Sequence, residues 1–182
     1  MYIVLQKLVL ENEKLHKKIT ELEKLTNKEK KRVSLVDWLD ANKTPTIDFV
    51  DWVKNISVTQ CDFHRILTVN IVNLIMDIIK NNLETKDIPI CSFDQKLKTI
   101  FIYTQKSWRI VEKGEFYRFI DNIIRKLTSQ LKQLQTNEEK FHMYTKKIYS
   151  IDTEEVARRI HLRLYNHLKY NLRNIVEYEF TF

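Results

Sequence analysis

In Ile88-Pro-Ile-Cys-Ser-Phe-Asp-Gln-Lys-Leu-Lys-Thr-Ile-Phe-Ile-Tyr-Thr-Gln-Lys-Ser-Trp-Arg-Ile-Val111 the hydrophobic pattern leaves the helical period that governs most of the chain. Ile88–Phe93, Thr99–Thr104 and Trp108–Val111 are short and rich in β-branched and aromatic residues. Polar breaks at Asp94-Gln-Lys96 and Gln105-Lys-Ser107 part them. Runs of this length and composition, joined by short polar turns, predict a three-stranded antiparallel meander.

On both sides of the meander the pattern is helical. Upstream, Thr59 precedes Asp62 at capping-box spacing and opens a long helix through Phe63, Ile66, Leu67, Ile71, Leu74, Ile75, Ile78 and Ile79. Before it, two amphipathic pieces, 34–42 and 47–55, each carry Val-Asp-Trp, at Val36-Asp37-Trp38 and Val50-Asp51-Trp52. Each is expected to bury its Trp and leave its carboxylate outside. Downstream, the single glycine, Gly114, marks entry into a helix over about 115–140, with Phe116, Phe119, Ile120, Ile123, Ile124, Leu127, Leu131 and Leu134 inside. A shorter helix follows to Tyr149. Asp152 and Glu155 then stand as a capping box before a last helix with spine Val156, Ile160, Leu164, Leu168, Leu172 and Val176. Glu177–Phe182 alternates and suits a strand or a packed tail. The expected fold is mainly α (α+β): a helical domain, residues 33–182, holding a small sheet.

Residues 1–32 read differently. Met1, Leu8, Leu15 and Leu22 share one heptad position, and Leu5, Asn12, Ile19 and Thr26 the other. A leucine seam interrupted by one asparagine predicts a parallel two-stranded coiled coil in fixed register. Leu5, Leu8, Asn12, Leu15, Ile19 and Leu22 are the expected homodimer contacts.

Composition narrows the chemistry. With one glycine in 182 residues, no phosphate-binding loop, dinucleotide fingerprint or nucleophile elbow can be written, because each needs glycine at close or left-handed backbone. The start Met1-Tyr-Ile-Val-Leu-Gln-Lys7 lacks a secretion leader, and the most apolar run, Ile66–Ile79, is too short and too polar to span a bilayer. Two cysteines, Cys61 and Cys91, fit a reducing compartment. The net charge of +7 is concentrated in residues 1–32 and 94–150, which allows attraction to nucleic acid.

Three constellations are candidate sites. Cys61 and His64 lie three apart but lack a second pair for zinc, so no metal or cofactor is expected. Asp37, Asp40, Asp48 and Asp51 cluster as a divalent-metal nuclease would need; their places near helix starts also suit simple dipole stabilisation. On the last helix, Arg159, Arg163, Asn166, Tyr170 and Arg173 recur at spacings of four, three, four and three, widened by Arg158 and Lys169. Guanidinium groups with an amide and a ring on one stripe suit phosphate and groove contacts. A second basic row is Arg118, Arg125, Lys126 and Lys132.

Lys43-Thr-Pro-Thr-Ile-Asp-Phe-Val-Asp-Trp-Val53, Ile88–Lys96 with Phe101–Thr104 and Trp108, and Asn174–Phe182 resemble uncharacterised proteins of giant, mimivirus-like DNA viruses over at least residues 35–182. Such proteins often join a zinc finger, a coiled coil and a domain of this kind; the finger is not among these residues. The resemblance implies a viral protein of the host cytoplasm (the viral factory) or the virion, and carries no catalytic residues. The expected function is therefore a non-enzymatic, dimeric interaction protein that binds DNA or RNA through the basic helix face, or another viral protein. A virion or assembly scaffold without nucleic-acid affinity is the alternative, and a metal-dependent nuclease a further one.

Overall fold

The computed structural model describes residues 11–20, 32–83, 88–134, 138–172 and 179–181. Residues 11–20 are helical (α1). β1 (Arg32–Ser34) leads into α2 (Leu35–Asn42), α3 (Phe49–Asn55), α4 (Gln60–Arg65) and α5 (Ile71–Asn82). β2 (Ile90–Phe93), β3 (Ile100–Thr104) and β4 (Ser107–Ile110) follow, then α6 (Lys113–Ser129) and a 3-10 turn, Gln130–Leu134. α7 (Glu138–Tyr149), α8 (Thr153–Leu168), β5 (Lys169–Tyr170) and β6 (Glu179–Thr181) complete the order. No helix among the described residues is long and apolar enough to cross a membrane.

The main sheet departs from the expected meander. Among the described residues it has four strands in the order β4-β3-β2-β5, and β5 runs parallel to β2. The extra strand arises because α8 stops at Leu168 instead of carrying its apolar repeat to Val176. Lys169 turns extended at φ −64°, ψ 135°, and Tyr170 comes into register with Phe93. The pairing supplies β2 with partners along an edge that the meander would have left open. A separate parallel pair joins β1 to β6, at the two ends of the domain.

Two expected long helices are also divided. The run from Thr59 to Ile79 breaks because the Asn70 side chain accepts the Val72 N–H at 2.9 Å and starts α5 afresh. Asparagine is a stronger cap than a helix-interior residue. The Thr59–Asp62 capping box does form, at the start of α4. α6 ends at Ser129 and tightens into the 3-10 turn, short of the expected 140.

The sheet is covered on both sides. One face, with Ile90, Ile100 and Ile102, joins the large apolar cluster built by α3–α8. The other face, with Cys91, Phe93, Phe101 and Trp108, meets Leu35, Leu39 and Leu172 in a smaller one. The two Val-Asp-Trp repeats divide between these faces: Trp52 is buried in the large cluster, while Trp38 packs half-buried, edge-on at 6.1 Å, against Phe93.

Of the expected coiled-coil seam, Asn12, Leu15 and Ile19 lie in α1, and all ten described residues of that helix are exposed; the single chain does not show the coiled coil itself. Leu5, Leu8 and Leu22 lie outside the described residues.

Candidate nucleic-acid interface

α8 is a capped amphipathic helix whose cap fixes its start and whose period decides which way its cations face. Asp152 accepts the backbone N–H of both Glu154 and Glu155, each at 3.1 Å. Val156, Ala157, Ile160, Leu164 and Tyr165 then point into the large cluster. The 3.6-residue period leaves Arg158, Arg159, Leu162, Arg163, Asn166 and His167 outside.

Arg158, Arg159, Arg163 and Asn166 thus share the exposed side of one helix. Glu155 holds the first two: Arg158 Nε reaches its Oε2 at 2.8 Å and Arg159 Nε its Oε1 at 2.7 Å. Hydrogen bonds from the two guanidinium groups, two from Arg158 and one from Arg159, hold the Glu155 carboxyl down at about 2. Arg163 donates to the Asn73 side-chain oxygen on α5, which ties the ridge to its neighbour without neutralising it. Lys169 stands 3.4 Å from Asp94 at the far end.

Tyr170 does not continue the stripe. It sits on β5, half-buried, with its ring 4.6 Å from Phe93 and beneath the Lys43 ammonium at 4.5 Å. Burial, with Cys91 nearby, pushes its phenol above the ordinary range. Arg173 lies outside the described residues. The physical cause is the helix ending at Leu168: once the backbone is extended, the spacing of four and three no longer keeps side chains on one face. Leu162, 46% exposed, is the ridge residue the stripe omitted. It was visible in the sequence as an apolar residue off the Val156–Leu168 spine.

The second basic row does not act as one surface. Arg125 pairs with Asp121 at 2.7 Å. Lys126 donates to the carbonyls of Lys54, Ile56 and Val53 at 2.5, 2.7 and 3.4 Å, closing the open end of α3. Loss of solvent there lowers its pKa. Arg118 and Lys132 are exposed.

Three of the four carboxylates proposed for metal chemistry, Asp40, Asp48 and Asp51, are engaged elsewhere. Asp40 accepts the Trp108 N–H at 2.8 Å, and the Trp108 indole donates to the Lys43 carbonyl at 2.7 Å. Asp48 caps α3 through the Val50 N–H and accepts the Gln105 N–H, both at 2.8 Å, with the Thr104 hydroxyl at 3.3 Å. Desolvation raises its pKa, but the hydrogen bonds together outweigh that and leave it lowered. Asp51 pairs with exposed Lys54 at 2.9 Å, and Asp37 is exposed. Cys61 is exposed, while His64 Nδ1 faces the Tyr144 hydroxyl at 3.0 Å. Among the described residues, no three His, Cys, Asp or Glu side chains gather in a group able to hold a metal ion.

A recess of about 960 Å³ opens between the starts of α6 and α8. Val111, Phe116, Ile151 and Ala157 line it, with His161 edge-on to Phe116 at 4.9 Å. Burial lowers the His161 pKa. Lys113 and Glu154, both highly exposed, pair across its rim at 3.1 Å.

No known protein family, curated protein or solved structure matches the chain.

Proposed function

We propose that the chain is a non-enzymatic interaction protein whose C-terminal domain binds nucleic acid through the outer side of α8. The observation that carries this reading is the placement of charge. Residues 156–172 hold four cations, Arg158, Arg159, Arg163 and Lys169, and no carboxylate; all four are exposed. Glu155 and Asp94, the carboxylates that reach this side, do so through solvent-exposed pairs. Such pairs contribute about 0–1 kcal/mol, with the bidentate Arg158–Glu155 pair at the upper end, so a phosphate can replace them at modest cost. Asn166 adds an amide that both donates and accepts, and Leu162 an apolar contact for a sugar or base. The non-enzymatic part draws support from Asp48, both of whose carboxylate oxygens accept hydrogen bonds within the fold, and from Asp40 Oδ1 and His64 Nδ1, each engaged there as well.

The giant-virus resemblance, which rests on sequence, would place this binding in the viral factory or the virion. The test is fluorescence anisotropy with a short labelled DNA duplex and a single-stranded RNA, titrated from about 50 to 200 mM salt. Binding that weakens steeply with salt, and weakens further in Arg159→Ala/Arg163→Ala, is the expected result. An absence of binding to both probes at low salt would overturn it in favour of a scaffold role. Cleavage of either probe with Mg²⁺ or Mn²⁺ would overturn the non-enzymatic part.

A further inference from the structure

We infer that α1 is the docking surface for a second copy of this chain, aligned in parallel and in register. The helix is otherwise hard to account for. All ten described residues are exposed, including Leu15 at 55% and Ile19 at 49%. In the domain, by contrast, Leu35, Leu39, Ile75 and Ile79 are at most 2% exposed. An isolated helix of this length is marginal in water, so its apolar seam needs a partner.

The sequence identifies that partner. In heptad terms Leu5, Asn12, Ile19 and Thr26 fall at a, and Met1, Leu8, Leu15 and Leu22 at d. Leucine at d with a single asparagine at a selects two parallel strands, because the two Asn12 amides meet only when the copies are in register. The flanking charges agree. In the sequence Glu11 and Lys18 occupy g and His16 and Glu23 occupy e, the spacing of acidic and basic residues that a parallel pair uses. Binding of the seam to the domain of its own chain would use neither the asparagine match nor this charge pattern.

Because every residue replaced is exposed, the test leaves the domain intact. Sedimentation equilibrium of the full chain is expected to give twice the 22.1 kDa chain mass. Leu15→Glu/Ile19→Glu should raise the dimer dissociation constant at least about a hundredfold, with the domain's melting temperature unchanged. In a Cys61→Ser background, Ile19→Cys should yield a disulfide-linked dimer on mild oxidation, since a-position residues of the same number meet only in parallel register. A monomeric native chain at high micromolar concentration, or a double-glutamate variant that stays dimeric, would overturn the second-copy assignment. Ile19→Cys chains that dimerise without cross-linking would overturn the parallel register. None of these results depends on nucleic-acid binding.

Discussion

The charged groups that tie α2, α3, the hairpin and α6 together and those on the outer side of α8 are of the same chemical types but are held differently. Asp40, Asp48 and Lys126 reach backbone atoms 57 to 73 residues away in sequence, across otherwise separate elements. Arg158 and Arg159 reach only Glu155, three and four residues back, and both are more than half exposed. The first set is part of the fold. The second is available to a ligand. Charge count alone puts the two together; only the partners tell them apart.

That contrast breaks most sharply at Lys126. Lys126→Ala should cost about 2 kcal/mol, because it strips a charged donor from three carbonyls at the end of α3. Urea unfolding measures it, and a loss under about 0.5 kcal/mol would put Lys126 back among the free cations. Asp48→Ala should cost about 1–2 kcal/mol through its cap alone. Its pKa is lowered on folding from 3.8, so the stability it adds is complete above that value and lost as pH falls through the lower folded value. Thermal melts from about pH 5 to pH 3 should therefore decline less steeply in Asp48→Asn than in the native chain.

The turn held by Asp48 provides a smaller effect in the opposite direction. Gln105 and Lys106 have φ of 52° and 64°, a two-residue hairpin geometry that favours Asn-Gly. Lys106→Gly should raise stability by about 1 kcal/mol; no gain would mean the turn carries little strain. Smallest in stability is Glu155→Gln. It should leave the melting temperature within a degree or so, yet strengthen nucleic-acid binding by releasing Arg158 and Arg159. Weaker binding would make Glu155 a positioning group of the interface.

Much of this was legible in the chain. The change of period at Ile88 exposed three strands, and Thr59 and Asp152 announced two helix starts, because these signals are local. The fourth strand was hidden by its own sequence. Ile160, Leu164, Leu168 and Leu172 continue a helical repeat, and only pairing with β2 extends Lys169-Tyr170. The same long-range event removed Tyr170 from the stripe. Arg158, Arg159, Arg163 and Asn166 were found by spacing because they lie within one helix, as does the i, i+4 contact of Glu155 with Arg159. Asn73 beside Arg163, 90 residues away in sequence, and Lys126 closing α3 are spatial facts that no spacing encodes.

On the proposed reading the exposed α8 cations, Arg163 with its Asn73 contact included, lend the fold little stability and can turn to phosphate. Arg159→Ala/Arg163→Ala, measured for both stability and binding, tests that reading most directly. The expected unfolding free energy lies within about 0.5 kcal/mol of the native chain. The expected slope of log affinity against log salt is shallower by about 2 on duplex DNA. A marked loss of stability with an unchanged slope would contradict that reading, and would return these arginines to the fold.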